Sequence, residues 1–235
     1  MRVWTGTSGF SYKEWKGSFY PPDLPASAML GYYAQSFPTV EINNTFYRMP
    51  RPELLAGWTE QVPDSFRFAL KAPQRITHRA RLKDAGDALR FFLDTAACLG
   101  ARCGPVLFQL PPFFKKDLER LREFLQLLPD GVRAAFEFRN ASWFDDEVTA
   151  ALRERGAALC IAEDDDDDET PTVVPTAGWG YLRLRRQNYD DAALEAWARR
   201  IAGQPWTDAF VYFKHEDEAR GPLFARQFQH LASAR

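Results

Sequence analysis

The sequence predicts an α/β fold, a single TIM-type (β/α)8 barrel spanning residues 1–235. Three observations carry that expectation. Eight short apolar runs with β character recur about 30 residues apart, the spacing of βα units. Most of the intervening segments repeat apolar residues at three- and four-residue steps, the helical period. No Gly/Ser linker, internal repeat or composition shift breaks the chain. Strands alternating with helices make a parallel sheet, and eight of them favour closure into a barrel.

The first strand is "RVWTGTS" (2–8), followed by "TVEINN" (39–44), "FRFALKA" (66–72) and "PVLFQL" (105–110). Between the third and fourth, Leu89, Phe92, Leu93, Ala96 and Leu99 form a helical stripe ending at Gly100, which suits a helix C-terminus. A second stripe, Leu118, Leu121, Phe124, Leu125 and Leu128, precedes "RAAFEFR" (133–139). "AALCIAE" (157–163) and "GYLRLRR" (180–186) follow. The segment between those two, "DDDDDETPTVVPTAG", holds two prolines and an acidic run, so a loop replaces the helix there. Leu194, Trp197 and Ile201 mark the next helix, "AFVYFKH" (209–215) the last strand, and Leu223, Phe224, Phe228 and Leu231 the closing helix.

Composition is that of an ordinary globular protein: 46% hydrophobic, 26% charged, net charge −2. That balance gives no global reason to expect nucleic acid or an anionic membrane as partner. No apolar run approaches the roughly 18 residues of a membrane span. "MRVWTG" leads straight into strand-like sequence without a signal peptide, so a cytoplasmic location is expected. Cys98, Cys103 and Cys160 sit among apolar neighbours and read as reduced core thiols. The run from Glu163 to Glu169 lacks the alternate spacing of a calcium loop and reads as a solvated, self-repelling loop.

Alternate residues of a barrel strand face the helices or the lumen. If the bulky apolar set faces the helices, Val40 and Ile42 leave Glu41 and Asn43 inward, and Phe68 and Leu70 leave Lys71. Phe108 and Leu110 leave Gln109; Phe136 and Phe138 leave Glu137 and Arg139; Leu182 and Leu184 leave Arg183 and Arg185. Strands six and eight are apolar in either parity. These inward polar residues come late in their strands, at the C-terminal end where barrel enzymes hold their active sites. Burying an unpaired ion costs several kcal/mol, about enough to make five converging polar strand ends a sign of a wet pocket. The bland alternative is that Glu137, Arg139 and Glu41 simply form ion pairs that tie strands together.

"GTSGFSYKEWKGSFYP", "TVEINNTFYRMP", "ITHRARL", "FQLPP" and "AFEFRNASWF" resemble, in order and along nearly the whole chain, the motifs of the domain-of-unknown-function 72 (YecE-like) family. The resemblance implies a TIM-type barrel and supplies no reaction. Likeness of that barrel to endonuclease IV and to sugar isomerases points, by fold analogy alone, to nucleic-acid or carbohydrate ligands. Motif positions carried over are Ser8, Gly9, Glu41, Asn43, Thr45, Phe46, Tyr47, Lys71, Thr77, His78, Gln109, Glu137, Arg139 and Trp143. The last third departs: "RLRRQ" and "YFKHED" stand where many members have R-x-H-G and N-N, which weakens carry-over to Arg185, Lys214 and His215.

Lys71, Arg139, Arg183 and Arg185 outnumber Glu41 and Glu137 in the expected mouth, with Glu163 undecided, so a small phosphate- or carboxylate-bearing ligand is the expected partner. In that reading Glu137 is the acid or base, with Glu41 or His215 as second proton-transfer group. Arg139, Arg183 and Lys71 anchor charge, Asn43 and Gln109 orient hydroxyls, and the backbone N–H groups of the Ser8 loop receive phosphate. The alternative is nucleic-acid or nucleotide binding, with Trp15, Phe19, Tyr20, Phe46, Tyr47 and Trp143 as stacking faces and Lys13, Lys16 and Arg48 for phosphates. Each of those aromatics taken alone is better read as a hydrophobic plug. With three histidines, a metal-dependent hydrolase is poorly supported, and no metal ligands are assigned. No phosphate-cradling or dinucleotide motif occurs, so no cofactor is expected. Oligomeric state is not legible.

Overall fold

The computed structural model describes residues 1–48, 50–165, 170–214 and 219–233. Its eight strands are β1 (Arg2–Thr7), β2 (Thr39–Ile42), β3 (Arg67–Lys71), β4 (Cys103–Gln109), β5 (Ala134–Glu137), β6 (Ala158–Glu163), β7 (Trp179–Leu184) and β8 (Asp208–Phe213). All are parallel, each paired with its sequence neighbour from β2 through β8, and β8 pairs with β1. The result is a (β/α)8 barrel with one weak junction, between β1 and β2.

The helices are α1 (Met29–Tyr33), α2 (Asn44–Tyr47), α3 (Pro52–Thr59), α4 (Gly86–Ala96), α5 (Leu118–Gln126), α6 (Asp146–Arg155), α7 (Asp191–Ala202) and α8 (Arg220–Ser233). Three of them carry side-chain caps: Asp117, Asp145 and Asp190 each accept from backbone N–H groups of the first turn of α5, α6 and α7. Among the described residues between β6 and β7 no helix forms, as the prolines require. The stripe through Leu99 ends as an α-helix at Ala96; a 3-10 stretch continues to Arg102 and turns at Gly100, whose φ is 55°.

Two apolar layers result. Between strands and helices lie Val40, Phe68, Phe108, Phe136, Leu182 and their neighbours. The lumen holds a separate cluster that includes Trp4, Leu107, Cys160, Tyr181, Phe210 and Tyr212, and this settles the two ambiguous strands: Cys160 and Phe210 face inward. Trp4 stacks on Phe210 at 5.6 Å, and Tyr181 meets Tyr212 at 5.2 Å. Aromatic rings thus fill the lower and middle barrel, leaving polar side chains room only near the top. Of the cysteines only Cys160 is a buried core thiol; Cys103 is half-buried and Cys98 lies on the exposed 3-10 stretch, where its apolar sequence neighbours misdirect the reading.

At the β1–β2 junction the backbone ladder is reduced to a bridge between Ser8 and Glu41, with the Gly9 N–H donating to the Glu41 carbonyl at 2.8 Å. Lower down, the Tyr33 hydroxyl fills the gap. It accepts from the Thr7 N–H at 2.8 Å and donates to the Thr39 carbonyl at 3.0 Å. Gly6 permits this close approach, since a Cβ there would sit 2.1 Å from the Thr39 carbonyl oxygen. Removing the hydroxyl strands two buried backbone groups, and an unsatisfied buried group costs about 1–3 kcal/mol. Tyr33→Phe is therefore expected to lower the urea midpoint without changing the slope of the transition; an unchanged midpoint would show that the seam does not need this bridge.

Candidate functional site

Arg183 projects from β7 into the top of the lumen and is almost fully buried, at 3% exposure. Its guanidinium joins two carboxylates from strands on either side of the barrel. Nη2 lies 3.0 Å from Glu41 Oε1, and Nη1 2.7 Å from Glu137 Oε2. Glu41 Oε1 also accepts from Ser8 Oγ at 2.7 Å and Asn43 Nδ2 at 3.3 Å, while Tyr181 donates to Oε2 at 2.7 Å. Glu137 Oε1 accepts from Gln109 Nε2 at 2.8 Å and from Arg139 Nε at 3.0 Å, with Arg185 at 3.8 Å. Side chains from β2, β4, β5 and β7, and from the ends of β1 and β5, thereby share one network.

Burial by itself would raise both carboxyls, but the surrounding charge wins. Arg183, helped by Ser8 and Tyr181, holds Glu41 below its ordinary 4.5. Burial acts against ionisation of Glu137 too, yet Arg183, Arg185 and Arg139 hold it far below that value. Lys71 moves the other way. Burial first, then the Arg183 charge, lowers its ammonium from 10.5 to about 8, against the opposing pull of Glu41 and Glu137. His78 is lowered as well, by burial and then by Lys71 and Arg139.

Above the network opens a cavity of about 570 Å3. Its wall carries five basic side chains, Lys71, Arg139, Arg183, Arg185 and Lys214, with His78, and among the described residues no carboxylate. Asn43, Phe46, Tyr47 and Gln109 complete the part of the wall that the sequence indicated. Glu41 and Glu137 are bonded to the wall residues Asn43 and Arg139, and Ser8 to Glu41. Asp164 flanks the rim, 3.1 Å from Arg185.

Several expectations need correction. Trp143 is buried away from the cavity; its indole donates to the Phe114 carbonyl at 2.7 Å and stacks on Phe138 at 4.7 Å, because the loop after β5 needs an apolar plug. Trp15, Phe19 and Tyr20 are core residues, as the plug reading of each expected and the stacking alternative did not. The Ser8 loop does not offer free N–H groups at Ser8 and Gly9, which donate to Phe213 and Glu41. Glu163 is neither in the mouth nor solvated: it faces α7, accepting from Tyr189 at 2.8 Å and Trp197 at 3.0 Å. His215, and residues 166–169 of the acidic run, lie outside the described residues. Tyr181 was missed although parity with Leu182 places it inward. Tyr12, Asn44 and Gln74 also line the cavity, from the loop after β1, the start of the one-turn helix α2 and the segment after β3, none of which carries a periodic signal.

A family model described as "Protein of unknown function DUF72" matches residues 4–235. The chain belongs to the DUF72 family. Among relatives, it is 35% identical over 137 residues to the UPF0759 protein YecE of Escherichia coli K12, covering 56% of this chain and 50% of that protein, so the match spans about half of that relative. It is 23% identical over 231 residues to the UPF0759 protein YunF of Bacillus subtilis, covering 92% of this chain and 79% of that one. A DUF72 crystal structure from Thermotoga maritima superposes with a TM-score of 0.85 at 24% identity, covering 99% of this chain and 100% of that one. A GH5_18 protein from Bifidobacterium longum, solved with Manb1-4GlcNAc, superposes at 0.59 with 11% identity, covering 98% and 78%. At these identities the two structures show the fold alone. No described helix is long and apolar enough to cross a membrane.

The Arg183 network makes acid stability a direct readout. A carboxyl lowered in the folded state contributes stability at neutral pH that is lost as pH falls, because the unfolded chain takes up protons first. Stability is expected to fall steadily below the ordinary carboxyl value of 4.5, and Glu137→Gln should flatten that slope in equilibrium unfolding. Arg183→Met leaves two buried carboxylates without their common partner, at a cost of about 3–5 kcal/mol. Wild-type loss below pH 4.5 with the same slope in Glu137→Gln would contradict the ion-pair assignment.

Proposed function

We propose that the C-terminal face of this barrel is a pocket for a small anionic molecule bearing phosphate or carboxylate. The observation that carries the reading is the charge of the wall. Five basic side chains line the cavity, and the two nearby carboxylates are turned down onto Arg183. A concave, partly desolvated cationic surface concentrates anions, and arginine adds a planar fork for two oxygens at once.

Glu137 reads better as part of the frame than as the acid or base. A general acid must hold its proton near working pH, and three arginines keep Glu137 ionised far below it. The same argument weighs against glycoside hydrolysis by the Glu41 and Glu137 pair, which needs one carboxyl with a raised value. Proton exchange near neutrality falls instead to Lys71, lowered to about 8, with His78 beside it, whose imidazole burial holds below its ordinary 6.5 and so toward the uncharged form. Asn43 and Gln109 on the wall remain suited to orienting hydroxyls or carbonyls.

A nucleotide is one anion that fits this description. An extended nucleic acid is less well supported, since of the six aromatics expected to stack Trp15, Phe19, Tyr20, Phe46 and Trp143 are buried and Tyr47 alone, at 74% exposure, presents a free ring.

Titration calorimetry with inorganic phosphate and citrate tests the reading. Binding of at least one anion, weakened by added salt, is expected, with glucose silent. Arg139→Gln, on a half-exposed side chain, should weaken it about tenfold, the scale of one charge-assisted hydrogen bond. Absence of heat and of thermal stabilisation with both anions would overturn the proposal.

A further inference from the structure

The group that sets this cavity apart from a plain anion site is Lys71. Its amine stands 4.2 Å from the centre of the Phe46 ring, and the His78 ring meets the same phenylalanine at 4.8 Å. Among the described residues the ion-pair partners of Glu41 and Glu137 are Arg183, Arg139 and Arg185, so Lys71 has an aromatic face where a lysine ordinarily has a carboxylate. The charged and titratable groups around it are Glu41 from β2, Glu137 from β5 and Arg139 just beyond it, Arg183 from β7 and Arg185 just beyond that, and His78 from the turn after β3. Lys214, after β8, stands on the same cavity wall. Burial and the Arg183 charge outweigh the opposing pull of Glu41 and Glu137, both of which are already paired with arginine.

A lysine that is desolvated and set among other cations loses its proton more easily and becomes a nucleophile near neutral pH. With its value at about 8, roughly a tenth of the amine is unprotonated at pH 7, against well under a thousandth for an exposed lysine. An anchoring ammonium gains nothing from that shift, whereas a reacting amine does.

We propose that Lys71 captures the aldehyde or ketone group of a small phosphate- or carboxylate-bearing molecule as an imine, the anionic end resting on the arginines of the same wall. This rests on the anion pocket proposed above and assigns its substrate class. The Nζ lone pair adds to the carbonyl carbon, and the carbonyl π electrons pass to oxygen, which takes up a proton. The nitrogen then gives up a proton, the carbinolamine hydroxyl is protonated and leaves as water, and the C=N bond forms. One water is released per imine, and no oxidant or reductant is consumed. His78, also on the cavity wall, is placed to pass these protons; its Nδ1 is engaged by the Thr77 hydroxyl at 2.9 Å, leaving the other ring nitrogen for the cavity.

The test is reductive trapping in the intact wild-type protein. Glyoxylate, pyruvate and dihydroxyacetone phosphate are each incubated with it in the presence of cyanoborohydride at pH 7.5, and the modified lysines are quantified by peptide mass spectrometry. Exposed Lys13, Lys83 and Lys115 serve as internal references, so no variant has to fold. Lys71 is expected to be modified more than about tenfold faster than the references with at least one probe, with half-maximal reactivity near pH 8, and to be protected by excess inorganic phosphate. Trapping at Lys71 no faster than at the references with all three probes overturns the imine proposal. Calorimetry with phosphate and citrate on the same sample separates the two readings: binding of either anion without trapping removes the imine alone, and binding of neither removes the pocket.

Discussion

An arginine buried in the lumen of a barrel must be neutralised where it lies, and the upper half of this molecule is organised by how that is done. Arg183 is shared between Glu41 and Glu137, carboxylates from strands three places apart around the sheet. Breaking either pair would leave an ion stranded in a medium that penalises it by several kcal/mol, a penalty of order one third of a typical domain's stability. The three side chains therefore fix one another. Each carboxylate then orients further groups: Ser8, Asn43 and Tyr181 on Glu41, Gln109 and Arg139 on Glu137. Glu41 also lies at the weak β1–β2 junction, where its carbonyl receives the Gly9 N–H, so closure of the barrel and assembly of the pocket floor meet at one residue.

This arrangement separates charges that are fixed from charges that can change. The carboxylates are locked in the ionised state by their arginines, and their negative charge is turned away from the cavity. What the cavity presents is the surplus: basic side chains, amides, and two groups, Lys71 and His78, that burial brings toward neutrality. Such a division suits a site that must hold an anion firmly while moving a proton or forming a bond beside it. Membership of the DUF72 family sets the architecture and leaves the chemistry to be argued from these side chains.

Much of the architecture was legible because the signals were periodic. Spacing alone gave eight strands, and parity sorted Glu41, Lys71, Gln109, Glu137 and Arg183 inward, since each is flanked by residues too apolar to face water. Parity could not decide β6 and β8, whose two faces are equally apolar; packing against Trp4 and Tyr181 decides them. Nor could it show that Glu137 would meet three arginines, because ion pairing depends on which strands face one another across the lumen. Trp143 misled for a different reason. A loop aromatic looks the same in sequence whether it plugs a core or lines a cavity. Glu163 was undecided for want of a partner in view, and its partners, Tyr189 and Trp197, come from the loop and helix after the next strand.

The central claim is that Arg183 keeps both buried carboxylates ionised. Carbon-13 NMR of the glutamate side-chain carboxyls, followed from pH 7 downward in the folded protein, reads this directly. The structure predicts that the Glu41 and Glu137 resonances both keep the ionised shift below the ordinary carboxyl value of 4.5, Glu137 far below it. A titration of either residue at or above that value would mean that the arginine does not hold it, and the pocket floor described here would not exist.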